Sequence, residues 1–199
     1  MPKKQNLATV KILVRGYFKW LNEEHNQFKA SSTVTLIKDG PVNILVDTGN
    51  YEIEKKLLSA LKKEGLKTSD INYVIITHHH ADHVANKHLF KNAIFTDWLT
   101  SYKNNKFVVD FDIVAKGKNV ISPNVYLIPT PGHSDDACTV IVNTAKGIVA
   151  IAGDLFVSKQ VEKNIYVTNK KEYQKSAKKI LALADYIIPG HGDLFKVKK

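Results

Sequence analysis

Short apolar runs, some of them followed by a helical pattern, divide the chain into alternating elements. Runs rich in β-branched residues predict strands in both halves of the chain, at 8–14, 33–37, 42–46, 73–77, 93–96, 125–130, 137–143, 147–153 and 186–190. Apolar residues at helical spacing predict helices at 52–65, 82–90 and 171–185. Two strand-rich halves with interspersed helices indicate an α/β protein, an αβ/βα sandwich of two mixed β-sheets flanked by helices.

The composition fits one ordinary globular domain. The chain has 199 residues, 44% of them hydrophobic and 24% charged, so we expect a single domain over residues 1–199. No stretch reaches the roughly 20 apolar residues of a membrane span, and the N-terminal segment lacks the apolar core of a signal peptide. A single cysteine, Cys138, excludes an intrachain disulfide. We therefore expect a cytoplasmic protein without a membrane partner, and a homodimer as the commonest symmetric assembly.

The net charge of +10 leaves two interpretations open. A basic chain can bind nucleic acid, which would make RNA the substrate. However, Arg15 is the one arginine among 29 basic residues, and arginine is the better bidentate ligand for phosphate. Lysines spread over helix surfaces are usually solvated, which favours a compositional origin and a small-molecule substrate.

Side chains that can bind metal follow most of the predicted buried strands. These are Asp47 after 42–46, the THHHADH segment with His78, His80, Asp82 and His83 after 73–77, His133 after 125–130, Asp154 after 147–153, and His191 after 186–190. Loops from several strands converge at the ends of a sheet, where functional sites collect. The sequence therefore predicts that these side chains form one site.

The spacing within THHHADH predicts two metal ions. Side chains two apart in an extended segment point the same way, so His78 and His80 can bind one ion together with His133. Asp82 and His83 begin a helix, which directs them elsewhere, to a second ion shared with His191. Asp154 is a carboxylate that can bridge both ions.

Imidazole and carboxylate ligands favour two Zn²⁺ ions, with Mn²⁺ or Fe as alternatives. Water bound to such metals ionises near pH 7 instead of about 15.7, so a hydroxide bridging the two ions is the expected nucleophile of a hydrolase. We assign Asp82 as the catalytic residue, whose loss should abolish activity while the fold survives. Asp47 and Thr77 are expected to orient ligand histidines by hydrogen bonds. Substrate contacts are expected from Tyr17 and Phe18, in a loop after the first strand, and from Asn86; for the aromatic pair, packing alone is the alternative.

The arrangement H-x-H-x-D-H at residues 78–83 resembles the signature of the metallo-β-lactamase superfamily, and Asp47, His133, Asp154 and His191 follow the family order. The resemblance covers nearly the whole chain and implies the same sandwich fold and metal-dependent hydrolysis. Within the superfamily, GYF at 16–18, LVDTG at 45–49 and the ending PGHGDLFKV resemble a subgroup associated with endoribonuclease activity on pre-mRNA. A phosphodiesterase or endoribonuclease-like activity is therefore the first expectation.

Two other functions stay open. The first is hydrolysis of a small ester, thioester or lactam, because THHHADH also resembles glyoxalase II. The chain departs from glyoxalase II after the motif, because the Gly-Gly-Asn that is usual there is replaced by Val84, Ala85 and Asn86. The second is a non-catalytic metal-binding protein, which intact ligands for an open two-metal site disfavour.

Overall fold

The strands of this computed structural model, which describes residues 7–159 and 167–198, are short and numerous. In chain order they are β1 (Thr9–Val14), β2 (Tyr17–Trp20), β3 (Phe28–Ser31), β4 (Val34–Asp39), β5 (Val42–Val46), β6 (Tyr73–Ile75), β7 (Ile94–Thr96), β8 (Thr100–Lys103), β9 (Lys106–Val109), β10 (Asn119–Ser122), β11 (Val125–Pro129), β12 (Cys138–Thr144), β13 (Gly147–Ile151), β14 (Tyr186–Ile188) and β15 (Phe195–Lys196).

Within the same residues, four α-helices lie between the strands: α1 (Glu54–Lys63), α2 (Ala81–Val84), α3 (Phe111–Lys116) and α4 (Lys170–Leu183). Single turns of 3₁₀-helix occur at Tyr51–Ile53, Thr68–Asp70, Lys87–Leu89 and Gly153–Phe156. Within the described residues, no helix has both the length and the apolar character that crossing a bilayer requires.

The strands form two mixed sheets and a separate hairpin. Seven strands pair in the order β1-β4-β5-β6-β7-β8-β9, six pair in the order β10-β11-β12-β13-β14-β15, and β2 pairs with β3. In the first sheet β5, β6 and β7 are parallel, and in the second β13 and β14 are parallel. Parallel neighbours bring the ends of several strands to one edge, where the loops after β5, β6, β13 and β14 meet.

Alternating side chains divide the core into three layers. Ile44 and Ile75 of the first sheet pack against Val140 and Ile151 of the second, which fills the space between the sheets. The opposite face of the first sheet packs on α1, with the apolar side chains Leu36, Leu45, Leu57, Leu61 and Val74. The opposite face of the second sheet packs on α4, with Ile141, Ala150, Ala177, Ile180 and Ile187. The predicted αβ/βα sandwich is confirmed.

A buried carboxylate connects the two sheets at the end away from these loops. Asp39, the last residue of β4, accepts hydrogen bonds from the Ser122 hydroxyl (2.5 Å), the Asn124 backbone amide (2.9 Å) and the Asn124 side chain (2.8 Å). Burial opposes its charge, but these donors together hold the pKa of Asp39 below its ordinary value.

Two sequence expectations need correction. The predicted helix at 82–90 is interrupted: α2 ends at Val84, and a separate 3₁₀ turn covers Lys87–Leu89. Tyr17 and Phe18 do not lie in a loop, since they begin strand β2 of a hairpin whose other strand is β3. The elements β8, β9, α3, β10 and β15 were not predicted, because their apolar residues are few or exposed.

Candidate metal centre

Three imidazoles and one carboxylate converge at one end of the sandwich. The Nδ1 atom of His80 lies 3.0 Å from His78 Nε2 and 3.1 Å from His133 Nε2. The Oδ2 atom of Asp154 lies 3.6 Å from His133 Nε2. One ligand atom from each of these four residues can be chosen so that all lie within 4.8 Å of one another. This spacing is suitable for holding one metal ion.

A second group of metal-binding side chains lies beside the first. The Nε2 atoms of His191 and His83 lie 3.5 and 3.9 Å from Asp82 Oδ2. The same two nitrogens lie 3.2 and 3.3 Å from Asp154 Oδ1. Asp154 therefore stands between the two groups: its Oδ1 atom lies near His83 and His191, and its Oδ2 atom lies near His133 and also 3.3 Å from His191 Nε2. The structure brings together all seven side chains that the sequence predicted as ligands.

The backbone of residues 78–84 explains how one short segment serves both groups. His80 is extended, with φ −65° and ψ 146°, so His78 and His80 face the same way across one intervening residue. That intervening residue, His79, points outwards and contacts Asp136 through its Nδ1 atom at 2.7 Å. The first turn of α2 then carries Asp82 and His83 to the second group.

Two glycines permit the close approach of the strands. A Cβ on Gly190 would collide with the carboxylate of Asp154. Gly153 has φ +50°, which favours glycine, and a Cβ there would lie 2.6 Å from the Thr77 hydroxyl. A side chain at position 190 would therefore displace Asp154 from its place beside His191, and one at position 153 would push the Asp154 loop away from Thr77.

Asp47 and Thr77, which were expected to orient ligand histidines, lie beside His83 on the side away from the cavity. The Asp47 carboxylate accepts hydrogen bonds from the Thr77 amide (2.9 Å), the Thr77 hydroxyl (2.8 Å) and His83 Nδ1 (2.8 Å). A proton on Nδ1 leaves the Nε2 lone pair of His83 directed at the second group. Asp47 has φ +57°, an uncommon value for a non-glycine residue, and these three hydrogen bonds stabilise it.

A backbone carbonyl orients His191 in the same way. Its Nδ1 atom lies 2.9 Å from the carbonyl oxygen of Ser31, so the proton resides there and Nε2 faces Asp154 and Asp82. Ser31 ends strand β3, which connects the hairpin to the metal-binding side chains.

Burial and neighbouring charges shift the pKa values of several of these side chains. Burial lowers the pKa of His78 well below its ordinary value, and the nearby His83 lowers it further. Burial also opposes protonation of His83, but the carboxylates of Asp47 and Asp154 outweigh it and hold the pKa of His83 well above the usual range. Burial opposes the charge of Asp154, yet His191 and His83 hold its pKa well below normal. Without cations, so many buried ionisable groups are costly.

The residues fit divalent metal ions. The Nε2 atom of His83 is buried and has no hydrogen-bond partner within the described part of the chain, although carboxylate oxygens lie nearby. When His83 is neutral and carries its proton on Nδ1, its buried Nε2 atom and the Asp154 oxygen 3.3 Å away can both direct lone pairs at one cation that takes the place of the Nε2 proton. Five imidazoles and two carboxylates are a donor set that suits zinc, and also iron or manganese.

An open cavity of about 570 Å³ lies over the metal-binding side chains. Its floor includes His80, Asp82, His133, Asp154 and His191, and its walls include Tyr17, Phe18, Phe28, Ala30, Tyr51, Ala81 and Ala85, with Lys29, Asn50 and Glu52 as the polar members. Phe18 and Phe28 stack with ring centroids 5.0 Å apart, and Phe18 contacts His191 edge-on at 5.8 Å. The predicted aromatic wall from Tyr17 and Phe18 therefore lies at the cavity, completed by Phe28 and Tyr51, which the sequence did not mark.

Asn86, from which a substrate contact was expected, does not line the cavity. Asn86 is buried and donates hydrogen bonds to the backbone carbonyls of Thr48 (2.8 Å) and Asn50 (2.7 Å). The break after α2 turns this residue inwards, so it fixes the loop after β5 instead of lining the cavity.

The chain is similar to known proteins over most of its length. Residues 29–112 match the model of the Metallo-beta-lactamase superfamily. A Xenopus laevis relative, Metallo-beta-lactamase domain-containing protein 1, is 35% identical over 96% of this chain and 82% of its own. The chain spans only 49% to 63% of the length of four other relatives, which are 30% to 32% identical to it.

Solved structures share the fold. A candidate metallo-beta-lactamase from Thermotoga maritima has a TM-score of 0.73 at 20% identity, covering 96% of this chain and 99% of that one. An N-acyl homoserine lactone hydrolase, with its product bound at the catalytic metal centre, has a TM-score of 0.66 at 18% identity, covering 94% and 93%. The site geometry and the 35% identical relative agree: this chain belongs to the metallo-β-lactamase superfamily of metallo-hydrolases.

Proposed function

We propose that this protein is a hydrolase that works with two divalent metal ions, zinc being the first choice. The observation that carries the proposal is the position of Asp154, between two groups of ligands and at the floor of an open cavity. His78, His80 and His133 would hold one ion, Asp82, His83 and His191 the other, and Asp154 both. Such ions supply an ionised water at neutral pH and polarise the oxygen of the bound substrate.

The chain's own residues organise the reaction around that centre. Asp47 and the Ser31 carbonyl hold the protons of His83 and His191 on Nδ1, which keeps both Nε2 atoms available as ligands. His80 is the exposed member of the first group, and Asp82 is the partly exposed member of the second. The substrate's reacting group would therefore enter between these two side chains, which is why Asp82 remains our catalytic assignment.

The walls of the cavity favour a small carbonyl compound with an apolar group, such as an ester, lactone or thioester. Phe18, Phe28 and Tyr51 offer aromatic surface for that group, and Ala81 and Ala85 leave room beside the metal-binding side chains. A cavity of about 570 Å³ is in the range of small-molecule sites. The lactone hydrolase with a similar fold is consistent with this substrate class.

Metal content and turnover on a defined panel test the proposal. Protein loaded with zinc or manganese is expected to bind two ions per chain and to hydrolyse at least one apolar ester, lactone or thioester. His80→Ala and Asp82→Ala should lose activity and retain the fold by circular dichroism. His88→Ala is the matched control, because that histidine is exposed and contacts Glu54. One ion per chain, full activity in either site variant, or two ions without turnover on any substrate would contradict the proposal.

RNA hydrolysis is the second candidate, and one feature of the hairpin favours it. Lys19 and Lys29 are direct cross-strand partners, and like charges at such positions are destabilising. Lys29 also lines the cavity, so the pair would favour an anionic substrate at its entrance. Cleavage of labelled single-stranded RNA that weakens steeply with salt, and that Lys19→Gln with Lys29→Gln abolishes, would support this candidate. Absence of cleavage at low salt would exclude it.

A further inference from the structure

Apolar side chains are exposed together at the end of the first sheet. Five of the thirteen large hydrophobic side chains that are exposed among the described residues fall within residues 107–114: Phe107, Val108, Val109, Phe111 and Val114. Their exposed fractions run from 44% to 76%. Clustered apolar exposure of this kind marks a surface that another molecule covers. We call it the β9 edge.

The β9 edge belongs to a strand with one free side. β9 pairs with β8 and is the last strand in the order of the seven-stranded sheet. No further strand pairs with it within residues 7–159 and 167–198. An exposed apolar edge strand presents backbone amides and carbonyls that pair readily with another strand.

Strand β9 and the following residue, Asp110, which is the N-cap of α3, have a sequence that is complementary to a second copy of itself. When two copies of residues 106–110, KFVVD, run antiparallel with Val108 opposite Val108, Lys106 of each copy faces Asp110 of the other. Phe107 then faces Val109, an aromatic and β-branched pair that is favourable across strands. A register with Lys106 opposite Lys106 would place like charges together, so charge favours the first arrangement over that one.

The face of the sheet that carries Phe107 already contains an aromatic ladder. Phe95 stacks on Tyr102, and Tyr102 on Phe107, with ring centroids 5.1 Å apart in both pairs. These residues are direct partners across β7, β8 and β9. Val109 of a second copy would continue the ladder beyond Phe107.

We propose that two copies of this chain form a symmetric dimer by antiparallel pairing of their β9 strands. The two first sheets then form one continuous sheet of fourteen strands, seven from each copy. The contact is isologous, as in most homodimers, and Phe111 and Val114 of α3 add apolar surface beside the strand. The dimer is independent of the proposed hydrolase activity.

Charge reversal tests the register directly. In analytical ultracentrifugation at high protein concentration, the wild-type chain is expected to have twice the mass of the monomer. Lys106→Asp alone places Asp opposite Asp twice, and Asp110→Lys alone places Lys opposite Lys twice, so each variant should be monomeric. An equal mixture of the two restores both opposite-charge pairs and should sediment as a heterodimer. Asp110→Lys also removes the side-chain cap of α3, so Asp110→Asn, which keeps an acceptor for Asp112 N, is its control and should retain the dimer more than Asp110→Lys does.

Further variants separate this surface from others. Val108→Lys should give a monomer, while Val120→Lys, at an exposed valine on the edge strand β10 of the other sheet, should leave the dimer intact. Circular dichroism and metal content check that each variant folds. A monomeric wild type at every concentration, dimers in both single charge variants, or a dimer lost only in Val120→Lys would overturn the proposal.

Discussion

Asp47 supports the metal centre without facing the cavity, and replacing it by Asn isolates that role. Asn preserves the shape of the side chain and tolerates the φ of +57°, so the backbone should remain in place. In the wild type the two carboxylate oxygens accept from Thr77 N, Thr77 Oγ1 and His83 Nδ1. An amide has one oxygen, so in either orientation its NH₂ group meets a donor.

The consequence depends on which donor meets the NH₂ group. If it faces His83, the imidazole must accept at Nδ1 and carry its proton on Nε2, the atom directed at the second metal-binding group. If it faces the Thr77 amide, that buried N–H loses its acceptor, at a cost of about 1–3 kcal/mol. Replacing such a supporting partner typically weakens metal binding about 10- to 100-fold, which corresponds to roughly 1.4–2.7 kcal/mol.

A competition titration against a zinc chelator measures this change, with differential scanning calorimetry on the same samples. Asp39→Asn is the matched control, because Asp39 is also a buried carboxylate with three hydrogen bonds but lies at the other end of the sandwich. It should lower the free energy of unfolding and leave the zinc affinity unchanged. Equal zinc affinity in Asp47→Asn and the wild type, or equal loss of affinity in both variants, would refute the reasoning.

Three further changes have definite expected outcomes. Gly190→Ala should reduce the bound metal measured by plasma mass spectrometry, because its methyl group collides with Asp154, whereas Gly192→Ala should bind two ions normally. Folding lowers the pKa of Asp39, so the ionised carboxylate stabilises the fold above the unfolded value of 3.8, and this stabilisation is lost as the pH falls below that value. The free energy of unfolding of Asp39→Asn, measured by chemical denaturation, should therefore depend less on pH in acid than that of the wild type. An unchanged pH dependence would contradict this. Phe28→Ala removes one face of the aromatic stack, so KM for an apolar substrate should rise several-fold with metal content unchanged, while Phe107→Ala should leave KM unaltered.

Sequence patterns predicted the buried parts of the fold more successfully than its surface. The strands β4, β5, β11, β12 and β13 are rich in apolar residues on both faces because each face of the sheets is covered, by the other sheet or by a helix layer. The elements β8, β9 and α3 are short and largely exposed, so their sequences lack the hydrophobic periodicity that predicts a strand or a helix. The single domain, the cytoplasmic location and the homodimer stay predictions.

The ligands could be predicted because their spacing along the chain and their position after strands determine where the side chains point. His78 and His80 are two apart in extended chain, and Asp82 and His83 begin a helix, so the local sequence determines where they point. The residues of the cavity walls were harder to predict from the sequence. Phe28 lies in a hairpin and Tyr51 in a 3₁₀ turn, and no motif marks either residue. The interruption after α2 turns Asn86 away from the side of Asp82 and His83, where a continuous helix over 82–90 would have placed it.

The division of the ligands between the two sheets links metal binding to the docking of the two halves of the chain. His78, His80, Asp82 and His83 follow a strand of the first sheet, whereas His133, Asp154 and His191 follow strands of the second. Neither half has a complete set, so an ion that binds both halves acts as a reversible cross-link and stabilises only the docked state. The free metal concentration would then regulate the lifetime of the folded chain as well as its activity, and a metal-poor cell would contain fewer copies of the protein as well as less active ones.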